Sequence, residues 1–198
     1  YFFTAFLRLK ELLLDNNFIS DDHIKINALT ESCEALEVVR LSNNNLKTVP
    51  SILFRPPNIG YISLNQNLLT FLESGKFSSL TNLTELYLAT NNILTIEDGT
   101  FPSSLNVLEL QENKFSFLDE NQFNNMPLLT RLDLSSNRIS ELPDDVFANN
   151  VKLDYVNLDS NRIGWINKAV FRDTPLGIQI TVSNNELKTI EHGTFSGK

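Results

Sequence analysis

The chain has 198 residues, with 24 Asp or Glu against 16 Lys or Arg and a formal net charge of −8. That acidic balance argues against nucleic acid or an anionic membrane as partner, since both draw a basic face, and no run of about 18 apolar residues is present to span a bilayer. A hydrophobic content of 41% supplies a core, while one cysteine, Cys33, excludes an internal disulfide and leaves the compartment open.

From the N-terminus, the opening Tyr1-Phe2-Phe3 shows neither a basic start nor a cleavage site. The first organised stretch sets Leu9, Leu12, Leu14 and Ile19 around Asn17. A longer segment follows, Ser20–Ala35, carrying Ile24, Ile26, Leu29 and Cys33, and is expected to include one or two helical turns. From there the arrangement around Asn17 returns at Asn44, Asn67, Asn91, Asn113, Asn137, Asn161 and Asn185, at intervals of 22 to 27 residues. Apolar residues stand three and five before each Asn, as Leu88 and Leu86 precede Asn91. Eight before stand Leu9, Leu36, Ile59, Leu83, Leu105, Leu129 and Leu153, and two after stand Ile19, Leu46, Leu69, Ile93, Phe115, Ile139, Ile163 and Leu187. Ten after, Phe54, Phe77, Phe101, Phe123, Phe147, Phe171 and Phe195 recur. In the last unit Gly177 replaces the first leucine, and Leu176 or Ile178 is expected to compensate.

Each unit reads as one short strand with a buried face, because its apolar residues alternate with a period of two. The Asn ends the strand, and its amide needs backbone partners if it is buried. A single unit buries too little to fold alone, so stability must be shared between stacked neighbours. The whole chain is expected to be one array of about eight units. Phe3 stands six before Leu9, as Phe77 stands six before Leu83, and ends a unit whose strand is missing; Phe195 is followed by no further strand. The array is therefore expected to be uncapped at both ends and part of a longer protein. Cys33 stands three before Leu36, as Leu80 and Met126 do before Leu83 and Leu129, which predicts a buried core position rather than a reactive thiol.

The pattern L-x-x-L-x-L-x-x-N-x-L resembles the leucine-rich repeat, and its 24-residue spacing with a trailing Phe is similar to extracellular members such as Toll-like receptor ectodomains and insect secreted immune repeat proteins. Leu129–Phe147 and Leu153–Phe171 match best. The resemblance implies an α/β solenoid, a horseshoe with a parallel β-sheet on its concave side and a mostly irregular or short-helical convex side. It also implies an Asn ladder and non-enzymatic recognition of a protein ligand or co-receptor outside the cell. An adhesion or matrix protein and an intracellular scaffold use the same scaffold and remain open.

Catalysis finds little footing. His23 and His192 lie in the first and last units, without Cys or His partners at metal spacing, and no phosphate- or dinucleotide-binding glycine motif is present. Asp21-Asp22-His23 and Asp144-Asp145 read as solvated turns, and no cofactor or metal is expected. The outward columns of the strands are more informative. Four before the Asn stand Leu13, Arg40, Ser63, Tyr87, Glu109, Asp133, Asn157 and Thr181; six before stand Glu11, Val38, Tyr61, Glu85, Val107, Arg131, Tyr155 and Gln179. Two before stand Asp15, Ser42, Asn65, Ala89, Gln111, Ser135, Asp159 and Ser183. With no consensus, these columns are free to specify a ligand, and Tyr61, Glu85, Tyr87, Glu109, Arg131, Asp133, Tyr155 and Asn157 form the candidate partner-binding face. Its acidic middle favours a basic patch on the partner. The competing reading is a solvated sheet face in a protein that binds elsewhere. Asn82-Leu83-Thr84 is the one N-x-S/T sequon and a candidate glycosylation site.

Overall fold

The structure, a computed structural model, describes residues 8–24 and 33–196. Phe3, Ile26 and Leu29 lie outside the described residues. Eight strands form one parallel sheet in chain order: β1 (Glu11–Leu13), β2 (Val38–Arg40), β3 (Tyr61–Ser63), β5 (Glu85–Tyr87), β7 (Val107–Glu109), β8 (Arg131–Asp133), β9 (Tyr155–Asn157) and β11 (Gln179–Thr181). The register never slips: Tyr61 faces Glu85, Glu85 faces Val107, Val107 faces Arg131 and Arg131 faces Tyr155. A one-residue slip would turn the buried column from Val39 to Val156 out to solvent, so burial alone fixes the pairing. Two two-stranded sheets, β4 (Phe71–Leu72) with β6 (Thr95–Ile96) and β10 (Trp165–Ile166) with β12 (Thr189–Ile190), are built from strands that each follow one strand of the main sheet in the chain. The molecule is a β-solenoid whose only helix among the described residues is two short 3₁₀ turns, Asp21–His23 and Ser51–Phe54. The first falls in the segment expected to hold helical turns.

The predicted leucines fill one continuous core. Leu36, Ile59, Leu83, Leu105, Leu129 and Leu153 are fully buried, as are Leu46, Leu69, Ile93, Ile139 and Ile163. Cys33 is buried with them. In the last coil Leu176 is 80% exposed while Ile178 packs against the core, so Ile178 makes the compensation.

The asparagines form the expected ladder. Asn67 donates its amide to the carbonyls of Leu41 (2.9 Å) and Leu64 (3.1 Å) and accepts from the Leu46 N–H at 3.0 Å. Asn91, Asn113, Asn137 and Asn161 repeat these bonds, and each ties its coil to the one before. The residue preceding each ladder Asn is left-handed, with φ between 54° and 59° at Asn16, Asn43, Gln66, Thr90, Glu112, Ser136, Ser160 and Asn184. That kink turns the chain sharply off the sheet so that the Asn side chain points inward. None of the eight is glycine, so the ladder bonds and stacked backbone hold a conformation that local preference disfavours.

On the convex side the phenylalanines stack. Ring centroids lie 6.3 Å apart for Phe77–Phe101, 5.9 Å for Phe123–Phe147, 5.7 Å for Phe147–Phe171 and 5.9 Å for Phe171–Phe195. Phe54 meets Phe77 edge-on at 6.0 Å. No ring contact joins Phe101 to Phe123 among the described residues. The coil between Asn91 and Asn113 is the shortest, and it is shortened after Phe101, where one turn closed by Leu105 N–H to Pro102 O (3.4 Å) replaces the two turns that link Phe77 to Leu83.

Candidate functional site

The outward columns on the concave sheet bring the candidate residues together in two clusters. In the first, the rings of Tyr61 and Tyr87 lie 5.0 Å apart on β3 and β5, close enough for a tilted aromatic pair. The Tyr87 hydroxyl donates to Glu85 Oε2 at 2.7 Å. Partial burial, then that bond and the charge of Glu85, push the Tyr87 phenol well above its ordinary range. Burial likewise raises Tyr61. Both phenols are neutral donors at physiological pH, held rigid by neighbours.

The second cluster centres on Arg131 of β8. Its Nε donates to Glu109 Oε1 at 2.9 Å, and its guanidinium carbon lies 4.3 Å from the centre of the Tyr155 ring. The bond to Glu109 holds the Arg131 charge in place. Gln111 adds a donor to the other Glu109 oxygen at 2.8 Å. Glu109 is thus already paired, and the acidity of the middle of the face rests more on Glu85 and Asp159 than the sequence implied. The Arg131–Tyr155 stack presents planar cationic and aromatic surface together, a combination frequent at interface hot spots.

Asp133 and Asn157 differ from the expected free positions. Asp133 is buried. Its Oδ1 accepts from the backbone N–H and the hydroxyl of Ser135 at 2.9 and 2.6 Å, and its Oδ2 accepts from Asn157 Nδ2 at 3.0 Å. Asn157 Oδ1 accepts from the Asp159 N–H at 3.0 Å and from the Thr181 hydroxyl at 2.8 Å. These two side chains therefore serve the sheet's own backbone. In other coils the same N–H is satisfied from the neighbouring coil instead: Asp15 accepts from Ser42 at 2.7 Å and Asn65 from Ala89 at 2.7 Å. Parts of the outward columns are structural, which sequence reasoning missed; the signal was an Asp or Asn two or four before the ladder Asn in these coils.

Away from the sheet, Asn82 is exposed, with its amide donating to Pro57 O and Asn58 Oδ1, both at 3.1 Å. Asp21 accepts from the N–H groups of Lys47 and Thr48, and Asp145 pairs with Arg172 at 2.7 Å, so both acidic turns have intramolecular roles. Among the described residues no group of three or more His, Cys, Asp or Glu is placed to hold a metal ion, and no helix is long and apolar enough to cross a membrane.

Comparison with known proteins agrees with this geometry. The Leucine rich repeat family matches residues 34–93, 81–139 and 127–176. Human oligodendrocyte-myelin glycoprotein is 36% identical over 93 residues, covering 47% of this chain and 20% of that protein. Mouse podocan is 38% identical over 89 residues, covering 45% and 14%. This chain thus spans a fifth or less of the length of these relatives. Among solved structures, the glycosylated Toll–Spätzle complex of Drosophila, described as a molecular hub in development and innate immunity, superposes with a TM-score of 0.81 at 23% identity, over 95% of this chain and 25% of that one. At that identity the likeness concerns the fold. The chain therefore belongs to the leucine rich repeat family, and its resemblance to the family's extracellular members stands.

Proposed function

We propose that this chain is a non-enzymatic recognition module of a receptor or secreted immune factor, working outside the cell and contacting a protein ligand through its concave sheet. The observation that carries the reading is the pairing of two aromatic clusters, Tyr61–Tyr87 and Arg131–Tyr155, on outward positions with no repeat consensus. Rigid tyrosines offer large amphipathic area at low entropic cost, and preorganised side chains lose less freedom on binding. Glu85 and Asp159 favour a partner that presents lysine or arginine. Asp133 and Asn157 contribute by holding the sheet rather than by touching the ligand. The relatives support the reading, since the Toll structure is that of a complex.

The test is to capture a secreted partner on the immobilised chain, then to measure its affinity for the Tyr87→Ala/Glu109→Ala variant. A loss of at least tenfold, about 1.4 kcal/mol, with the unfolding midpoint maintained, is expected. Unchanged affinity would remove the concave face from the interface. An extracellular location also makes Asn82 a glycosylation site, at the cost of its two amide bonds. Expression in secreting animal cells should give a mass that falls on amidase release of N-glycans, and an Asn82→Gln variant that does not shift; a naked wild-type chain sinks this assignment.

A further inference from the structure

The edge by which each coil leaves the sheet carries a feature the concave face does not explain. The residue after each ladder Asn is locked in register by its own backbone bond to the previous coil: Lys114 N–H to Ile93 O (2.9 Å), Arg138 to Phe115 O (2.8 Å) and Arg162 to Ile139 O (2.8 Å). Three successive coils therefore place a cation in one column, at intervals of about 4.8 Å along the stack. Arg138 and Arg162 are exposed and Lys114 half-buried. Arg40, Arg131 and Arg172 each reach a carboxylate within 3 Å, but Lys114, Arg138 and Arg162 have no ion pair among the described residues. In a chain of net charge −8, three aligned cations outside any ion pair form a narrow line of positive charge. Beside them, Phe117 and Trp165 stand three residues further along the first and third of the same coils, 54% and 46% exposed.

We infer that this edge binds a linear anionic polysaccharide, lying along the stack with its sulfate or carboxylate groups on Lys114, Arg138 and Arg162 and its sugar rings against Phe117 and Trp165. The track is one residue wide. Glu112 lies beside it, Glu141 stands in the column of Phe117 and Trp165 and Glu186 ends it, so a planar anionic membrane would bring all three carboxylates down with the cations, whereas a single narrow chain meets Glu141 alone. The exposed rings suit the C–H faces of sugars, which an acidic peptide lacks. Three cations are few against the dense charge of a nucleic acid approaching an acidic protein.

Binding of a size-defined heparin oligosaccharide to the immobilised chain tests this, with a non-sulfated hyaluronan oligosaccharide of equal length separating sulfate from carboxylate recognition. Saturable binding to at least one is expected, with log Kd rising by about 2–3 per decade of NaCl for three released counterions. Arg138→Glu/Arg162→Glu should weaken it at least tenfold. Arg8→Glu/Lys152→Glu, the same charge change on the edge where coils enter the sheet, should leave it within threefold. Phe117→Ala/Trp165→Ala should weaken it with the salt slope unchanged, and Tyr87→Ala/Glu109→Ala should have no effect, which separates this site from the concave one. The inference is overturned by absence of saturable binding at 50 mM NaCl, by equal losses in the two charge variants, or by equal or tighter binding of single-stranded DNA or polyglutamate of matched charge.

Discussion

Asn91 shows what one residue contributes to the stack. Its amide nitrogen serves the carbonyls of Leu64, Leu88 and Ala89, and its oxygen takes the Leu69 N–H at 3.1 Å. All of this happens in a buried site. Alanine there would leave a donor and several acceptors without partners, each costing about 1–3 kcal/mol where water cannot reach. We expect Asn91→Ala to destabilise by about 3 kcal/mol in urea unfolding. Asn185 makes the same bonds to Leu158, Val182, Ser183 and Ile163 in a half-exposed site, where water substitutes, and Asn185→Ala should cost about 1 kcal/mol. Equal losses at the two positions would show that the ladder is not stabilised by burial.

At the scale of the strand and its turn, residue type is legible where every coil meets the same environment. The leucines, the ladder asparagines and the trailing phenylalanines each fill a slot that repeats from coil to coil, so one solution recurs and the sequence displays it. The outward face is legible only in outline. Its columns lack a consensus and so read as free of structural duty, yet the backbone N–H two before each ladder Asn needs an acceptor. The chain meets that need from two columns in turn: Asp15 and Asn65 in the previous coil, Asp133 and Asn157 within their own. Because the task alternates between positions, neither column shows a consensus, and side chains with structural work looked free. The edge column of Lys114, Arg138 and Arg162 was hidden for another reason. Residues 24 apart are remote in sequence, and their common direction emerges only once the register is set by backbone bonds.

For the molecule as a whole, coils touch only their neighbours, so global stability is a sum of coil and interface contributions along one dimension. The strands supply an unbroken set of interfaces from β1 to β11. The convex side does not, because the two-residue deletion after Phe101 parts the aromatic stack into Phe54–Phe77–Phe101 and Phe123–Phe147–Phe171–Phe195. Weaker coupling at one interface divides a one-dimensional array into two cooperative blocks. Native-state hydrogen exchange should then find the ladder amides of Leu46 and Leu69 opening with one free energy and those of Ile139 and Ile163 with another. A single opening energy across all four would mean that the sheet carries the coupling alone. A mechanical pull on the two ends should likewise meet its first yield point between the coils of Phe101 and Phe123, which makes the missing pair of residues a built-in fracture line in an otherwise regular rod.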